Sequence, residues 1–274
     1  MIKNIPFSVL CFDLDGTLVN DQGKIHPNDV VLLNHPHSAV LFIPATGRPL
    51  ESVRRTFQKV GLFKEKNIPF PLVLQNGSLL YLPDEIQVSY RPFDMEVQKR
   101  LIDLAKDRPE ITFLFLGAKE IHLLWPSQFG LASVEKYEFE VVPFTDRSMN
   151  CSFSKVMCIS NVARDLSALA QLVKWMSVDT ALSTPTIFEI TPQGINKGSG
   201  LLKLLRALGW ENLPLYVAGD GENDLPVMQM ARVSFAPTNA LPDVIKQSHF
   251  RIDVGQRGLL RPMIEKALTG SQSL

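Results

Sequence analysis

The chain has few cysteines, no net charge and no long apolar run, and each absence excludes a class of protein. Its three cysteines, Cys11, Cys151 and Cys158, are too few and too scattered for a disulfide framework or a four-ligand zinc site. Lys and Arg total 28, and Asp and Glu also total 28, so no long-range field attracts nucleic acid or an anionic membrane. No run approaches the ~20 apolar residues of a membrane helix, and the apolar stretch 5–12 lacks a signal-peptide cleavage site. We therefore expect a soluble, reduced, cytoplasmic protein without a nucleic-acid or membrane partner.

What the sequence does contain is apolar material for a sizeable core, arranged as strands that alternate with helices. Hydrophobic residues make up 45% of the chain and charged residues 20%, which is typical of globular proteins. Apolar runs without polar alternation lie at 8–12, 39–43, 72–74 and 215–218, and helical spacing is found at 50–60 and 199–208. Strands buried on both faces show no alternation, so this order predicts a parallel sheet covered by helices on both sides.

The middle of the chain, from about Pro83 to Pro185, has a different pattern. Predicted strands follow one another there with short turns, which is typical of a mostly antiparallel sheet. We interpret residues 83–185 as a second domain inserted into a first domain that comprises residues 1–82 and 186–274. The glycines at Gly77 and Gly194 lie close to the expected crossings and are predicted to act as hinges.

The strongest functional signal is the sequence Asp13-Leu14-Asp15-Gly16-Thr17, directly after the first predicted strand. Ligand sites of open α/β sheets lie beyond the carboxyl ends of strands, and Gly16 permits a tight turn that places both carboxylates on one loop. A surface turn with two solvated carboxylates is the alternative explanation. An EF-hand is excluded, because the sixth and twelfth positions counted from Asp13 are Leu18 and Lys24 rather than Gly and Glu.

Three further polar clusters follow in an order that favours a functional site. The sequence Thr46-Gly47-Arg48 follows the second predicted strand, and 219–224 (Gly-Asp-Gly-Glu-Asn-Asp) follows the strand 215–218. Lys197 begins a predicted helix but is preceded by Asn196 rather than Gly, so this segment is not a Walker loop. Each cluster alone can be explained as a helix cap or a surface lysine. With the segment 13–17 there are four clusters, three of them at strand ends, and together they indicate a shared site.

These motifs identify the chain as resembling the haloacid dehalogenase superfamily of phosphotransferases, over essentially its whole length. Within that superfamily it looks like the Cof-type phosphatases, which carry a large α/β cap. The segment 188–194 also resembles the return from cap to core in this subfamily. The resemblance implies an α/β fold with a Rossmann-like parallel-sheet core and an inserted α+β cap domain. One departure, His35-Pro36-His37, leaves the length of the first helix open.

The resemblance also implies a role for each motif residue. Asp13 is the implied nucleophile, and Asp15 is the implied acid and base. The implied Mg²⁺ ligands, which are oxygen atoms as this cation prefers, are Asp13, Asp220 and the backbone carbonyl of Asp15. Phosphoryl contacts are implied for Leu14, Thr46, Gly47, Lys197 and Asn223. Supporting roles are open: Asp224 orients Lys197 or a metal-bound water, and Arg48 contacts a second anionic substrate group or a nearby carboxylate.

The function expected from this pattern is Mg²⁺-dependent hydrolysis of a small phosphomonoester, such as a sugar phosphate, a nucleotide or a cofactor phosphate. A phosphomutase or a dedicated phospho-sugar phosphatase would use the same residues. A receiver-like signalling module also forms an aspartyl-phosphate, but it needs no inserted domain. An acid/base residue such as Asp15 would hasten the loss of the phosphoryl group that a signalling module has to keep. The sequence specifies neither the substrate nor the oligomeric state.

Overall fold

The computed structural model describes residues 7–64 and 66–270, which form strands and helices in alternation. The strands are β1 (Ser8–Phe12), β2 (Val40–Pro44), β3 (Leu72–Leu74), β4 (Leu79–Leu82), β5 (Ile86–Tyr90), β6 (Thr112–Leu116), β7 (Ile121–Leu124), β8 (Val141–Pro143), β9 (Lys155–Ile159), β10 (Val178–Thr184), β11 (Ile187–Pro192), β12 (Leu215–Ala218), β13 (Val233–Pro237) and β14 (Phe250–Ile252). The helices are α1 (Pro27–Asn34), α2 (Leu50–Lys59), α3 (Met95–Lys106), α4 (Gln128–Lys136), α5 (Ala163–Val173), α6 (Lys197–Leu208), α7 (Leu225–Met228), α8 (Pro242–Gln247), α9 (Val254–Arg257) and α10 (Leu260–Thr269). Helix α1 ends before His35-Pro36-His37, which settles the length that the sequence left open.

Five parallel strands in the order β14-β13-β12-β1-β2 form the core sheet. Successive side chains of a strand point to opposite faces, and both faces of β1 are covered. Leu10 and Phe12 pack into one apolar cluster, and Val9 and Cys11 pack into another that includes Leu201 of α6. The predicted parallel sheet with helices on both sides is confirmed.

A second sheet, in the order β10-β11-β9-β6-β7-β8, forms the cap domain. All of its pairs are antiparallel except β7 with β8, so the predicted mostly antiparallel sheet is confirmed. Helices α3 and α5 pack on one face of this sheet, through residues such as Leu101 and Leu166. The chain therefore has the expected architecture of a Rossmann-like core with an inserted α+β cap.

From the strand pairing we propose crossings between the domains that lie later in the chain than the expected ones. Strand β5 pairs with β4, which pairs with β3 beside the core sheet, so we group residues up to Tyr90 with the core. Strand β11 pairs with β9 and β10, so the chain returns after Pro192 rather than at residue 186. We propose 91–192 as the cap. The expected core range also included residues 1–6 and 271–274, which lie outside the described residues.

The two glycines expected as hinges have different surroundings. A Cβ atom on Gly77 would lie 2.2 Å from the carbonyl oxygen of Asn196, so this residue is tightly packed against the start of α6. Gly194 has a φ of +75°, and a Cβ there would meet no described atom within 4 Å. Since it follows β11 directly, Gly194 alone of the two lies where a hinge would be needed.

The structure bears on two expectations, one about membrane helices and one about the cysteines. Of the helices in the described ranges, none has the length and apolar character needed to cross a bilayer. Cys11 and Cys158 are buried in the two domains, and all three cysteines are free thiols. Burial raises the pKa of both the Cys11 and the Cys158 thiols above the ordinary value, so each behaves as a small apolar side chain.

Candidate active site

The loop after β1 places the two aspartates of the first motif at the carboxyl edge of the core sheet. The Asp13 backbone N–H donates to the carbonyl of Ala218, the last residue of β12, which extends the sheet to the nucleophile candidate. Gly16 then turns the chain with a φ of +76°, and a Cβ there would lie 2.2 Å from the Asp220 carboxylate. Only glycine therefore allows this loop to approach the acidic loop after β12 so closely.

Lys197, the first residue of α6, joins two of these carboxylates. Its Nζ lies 2.7 Å from Asp13 Oδ1 and 2.7 Å from Asp224 Oδ1, and all three side chains are buried. Burial alone would lower the pKa of Lys197, but the two carboxylates outweigh it and raise the pKa above the ordinary value. Of the two partners open for Asp224, the structure shows Lys197.

Both carboxylate oxygens of Asp224 accept hydrogen bonds from described residues, which separates its role from that of Asp220. Its second oxygen, Oδ2, accepts the backbone N–H groups of Asp220 and Gly221, both at 3.0 Å. Asp220 accepts a hydrogen bond from the Thr17 hydroxyl at 3.0 Å on Oδ1 alone. Asp224 thus holds the acidic loop and Lys197 in place, and Asp220 keeps an oxygen available for a ligand.

The donor set at this edge fits a hard divalent cation. Asp13, Asp220 and Asp224 each offer a carboxylate oxygen, and these atoms lie within 4.8 Å of one another. Since Asp224 is engaged as described, the oxygens left for a cation are those of Asp13 and Asp220. Burial raises the pKa of Asp220 to about 7, and the neighbouring Asp224 charge adds to the shift. Oxygen ligands of this kind suit Mg²⁺.

Arg48 pairs with a carboxylate of the protein, which resolves one of the open alternatives. Its Nε and Nη2 donate to the two oxygens of Asp15 at 2.7 and 2.6 Å. Its Nη1 donates to the hydroxyls of Ser52 and Thr56 on α2. This side chain is buried and uses all three of its nitrogens in described contacts. It therefore orients Asp15, and four of its five N–H groups donate to described residues.

The residues expected at the phosphoryl group divide into two sets. Thr46, Gly47 and Asn223 line one cavity of about 60 Å³ together with Asp13, Asp15 and Asp220. Lys197 instead lines an adjoining cavity of about 310 Å³, behind Asp13. The side chain of Leu14 is fully buried in the core, so only its backbone can take part. The structure thus brings the four motifs together around Asp13.

The roof of the small cavity is made by cap residues that the sequence analysis did not single out. They are Tyr137, Phe139, Lys155, Met157, Ser183, Thr184, Ile187 and Glu189. The members from β9 and β11 are two residues apart in each strand and so lie on one face of the cap sheet. The register pairs Glu189 with Met157 and places that face over the catalytic loops.

A buried ion pair within this roof binds directly to the core. Lys155 Nζ donates to Glu189 and, at 3.0 Å, to the carbonyl of Gly47. The other Glu189 oxygen accepts from the side-chain amides of Asn76 at 2.7 Å and Asn223 at 3.4 Å. A Cβ on Gly47 would lie 2.6 Å from Lys155 Nζ, so glycine is needed for this approach. A single charged residue in each of two otherwise apolar strands was the sequence signal for this pair.

Comparison with known proteins supports the resemblance to the haloacid dehalogenase superfamily. A sequence model of the haloacid dehalogenase-like hydrolases matches residues 10–257. The chain is 22% identical to 5-amino-6-(5-phospho-D-ribitylamino)uracil phosphatase YbjI of Escherichia coli, over 96% of this chain and 97% of that protein. Its fold is similar to TM0651 from Thermotoga maritima, with a TM-score of 0.76, 24% identity and coverage of 94% and 97%. The subclass IIB sugar phosphatase BT4131 is likewise similar in fold, with a TM-score of 0.79, 17% identity and coverage of 95% and 99%.

Proposed function

Since the chain belongs to the haloacid dehalogenase-like hydrolases and is a phosphatase of that superfamily, we propose that it hydrolyses small phosphomonoesters through an aspartyl-phosphate on Asp13. The observation that carries the proposal is the buried Asp13, held by Lys197 beside Asp15 under a closed roof. Phosphoryl transfer depends chiefly on positioning and charge neutralisation, and these residues supply both.

In the first step, an oxygen of Asp13 attacks phosphorus, and the bond from phosphorus to the substrate's alcohol oxygen breaks. Lys197 holds the Asp13 carboxylate through Oδ1, so the second oxygen is the one free to attack. A Mg²⁺ ion held by Asp13, Asp220 and the Asp15 carbonyl would neutralise the charge of the phosphoryl oxygens. Thr46, the Gly47 amide and Asn223 would hold those oxygens from the opposite side.

Asp15 would move the protons in both steps. Asp15 would enter the cycle protonated and give this proton to the departing alcohol. As a carboxylate it would then take a proton from the water that hydrolyses the aspartyl-phosphate, which returns Asp13, releases inorganic phosphate and restores the protonated Asp15. In the structure both Asp15 oxygens accept from Arg48. One of these two hydrogen bonds must therefore break when the leaving group approaches, and Arg48 then keeps Asp15 in place through the other.

The roof supports a small leaving group. The cavity combines apolar side chains, among them Phe139 and Ile187, with the hydroxyls of Ser183 and Thr184. Such a lining suits a sugar phosphate, a nucleotide or a cofactor phosphate, and the substrate named for the similar Escherichia coli phosphatase is of this size class. We also place the activity in the cytoplasm, because the thiols of Cys11 and Cys158 are free and buried.

We expect the intact protein to hydrolyse phosphorylated metabolites much faster than phosphopeptides or folded phosphoproteins. The physical reason is that the cap covers Asp13, and a folded surface cannot enter a cavity of this size. The measurement is kcat/KM for a panel of sugar phosphates, nucleotides and cofactor phosphates, set against phosphopeptides and a phosphoprotein. Efficient dephosphorylation of the folded phosphoprotein would contradict the proposal.

We expect Lys155→Met to lower kcat by about 10- to 100-fold, with a smaller change in KM. The substitution leaves Glu189 buried without its cation and removes the bond to Gly47, so the loop and Asn223 lose their alignment. Lys155→Arg should retain more activity, and Lys155→Met combined with Glu189→Gln should recover stability without recovering kcat. Equal losses of kcat for several substrates would show that Lys155 acts by positioning the Gly47 loop and Asn223. A loss confined to one substrate would show instead that Lys155 selects the leaving group.

A further inference from the structure

A separate cavity lies at the opposite edge of the core sheet from Asp13. It has a volume of about 450 Å³, within the range of small-molecule sites. Its lining includes Tyr216 near the start of β12, Val233 at the start of β13 and Phe250 at the start of β14. The catalytic motifs follow the carboxyl ends of the strands, so this cavity is separated from them by the length of the sheet.

The cavity contains a buried ammonium group that has no counterion among the residues the structure describes. Lys266, on α10, is 2% exposed, and its Nζ makes no hydrogen bond with any described residue. Its one described partner is the ring of Phe250, whose centroid lies 4.4 Å from Nζ. A cation over an aromatic ring gains on the order of 2 kcal/mol when desolvated, whereas burying an unpaired charge costs several. The ammonium therefore requires a further polar partner.

The rest of the lining adds positive charge and hydrogen-bond donors. Arg232 lies at the rim, and none of the described residues that line the cavity is acidic. His249 also lines it, and its Nδ1 accepts the backbone N–H of Ser234 at 3.1 Å. Because that nitrogen is an acceptor, the ring proton lies on Nε2, which is the donor that remains. Two cations and an imidazole donor thus surround a cavity with apolar walls.

We propose that this cavity is a second ligand site, for a small oxyanion that carries a phosphate or a carboxylate group. Lys266 and Arg232 would supply the charge, and His249 and the hydroxyl of Tyr216 the hydrogen bonds. Charge-assisted hydrogen bonds to such oxygens are stronger than neutral ones, and the anion would give the buried ammonium its missing partner. The site requires nothing from the catalytic residues, so it stands independently of the proposed reaction.

The test uses the imidazole NMR signals of the full-length protein, with those of His249 assigned by their loss in His249→Gln. We expect inorganic phosphate to shift the His249 signals, with half-saturation at about 1 mM. The signals of His35, His37 and His122 should not move. Malonate in a parallel titration distinguishes a carboxylate site from a phosphate site, and potassium chloride at equal ionic strength is the control. Phosphate bound near Asp13 would not move His249, which lies at the other edge of the sheet.

The matched variant is Lys266→Met, which keeps the side-chain length and removes the charge. We expect it to weaken the His249 response at least about tenfold, equivalent to ~1.4 kcal/mol, while turnover stays at the wild-type level. Arg232→Gln at the rim gives the same comparison if Lys266→Met does not fold. Unmoved His249 signals in wild type would overturn the proposal, as would an equal response to chloride or an unchanged response in both variants.

Discussion

Asp13→Asn is expected to abolish turnover, with a loss of about 10⁴-fold or more in kcat. An amide oxygen is a far weaker nucleophile than a carboxylate, and Asn cannot form the aspartyl-phosphate. The buried Lys197 would also face a neutral partner in place of the Asp13 carboxylate, from which its Nζ lies 2.7 Å. The measurement is steady-state turnover on the best substrate of the panel, with folding checked by circular dichroism.

Asp15→Asn is the matched control, because it lies on the same loop and keeps Asp13. We expect it to form phosphorylated protein slowly, and to hydrolyse it even more slowly, so that the intermediate accumulates. Acid-quenched protein labelled from ³²P substrate would reveal the difference between the two variants. Activity above a few per cent in Asp13→Asn would show that the reaction does not pass through this residue.

Exhaustive chelation of divalent cations is expected to lower activity by at least about 10³-fold, and Mg²⁺ should restore it. Among the described residues, the one cation paired with the carboxylate cluster of Asp13, Asp220 and Asp224 is Lys197, which contacts Asp13 and Asp224. A phosphate dianion that approaches this cluster is repelled unless a further cation is bound.

The ligand role of Asp220 can be separated from a general effect of charge. We expect Asp220→Asn to weaken Mg²⁺ binding, measured by calorimetry without substrate, while the exposed Asp103→Asn leaves it unchanged. The Thr17 hydroxyl can still bond to the amide oxygen, so the loop should keep its shape. Full activity after chelation, or an unchanged Mg²⁺ affinity in Asp220→Asn, would refute the metal assignment.

The catalytic constellation was predictable because each of its motifs is local. A strand buried on both faces ends at Phe12, and Asp13, Gly16 and Thr17 follow it within one turn. The same logic holds for Thr46 after β2 and Asp220 after β12. Parallel strands bring their carboxyl ends to one edge, so the order of strands and motifs along the chain already implied a common site. The resemblance then supplied the implied roles, which remain to be tested.

The domain crossings show where local pattern was insufficient. Residues 86–90 and 187–192 form strands in the structure, but the sequence does not say which sheet each one joins. That is decided by hydrogen bonds to β4 in one case and to β9 and β10 in the other. The expected boundary at residue 83 therefore lies between the paired strands β4 and β5, and the one at residue 186 lies between the paired strands β10 and β11. The packing of Gly77 against α6, which removes it from the hinge, was equally invisible from its neighbours in the chain.

The partners of the charged side chains were decided by the tertiary structure alone. Arg48 had two open interpretations, and the approach of β2 to β1 selected Asp15. Lys155 and Glu189 lie 34 residues apart and meet over Gly47 through the register of β9 and β11. Within the described residues, Lys266 of α10 meets the ring of Phe250 in β14 and no anion. A motif is specified by a few consecutive residues, whereas an ion pair or a cavity requires segments distant in the chain to meet, and only the packed fold determines which ones do.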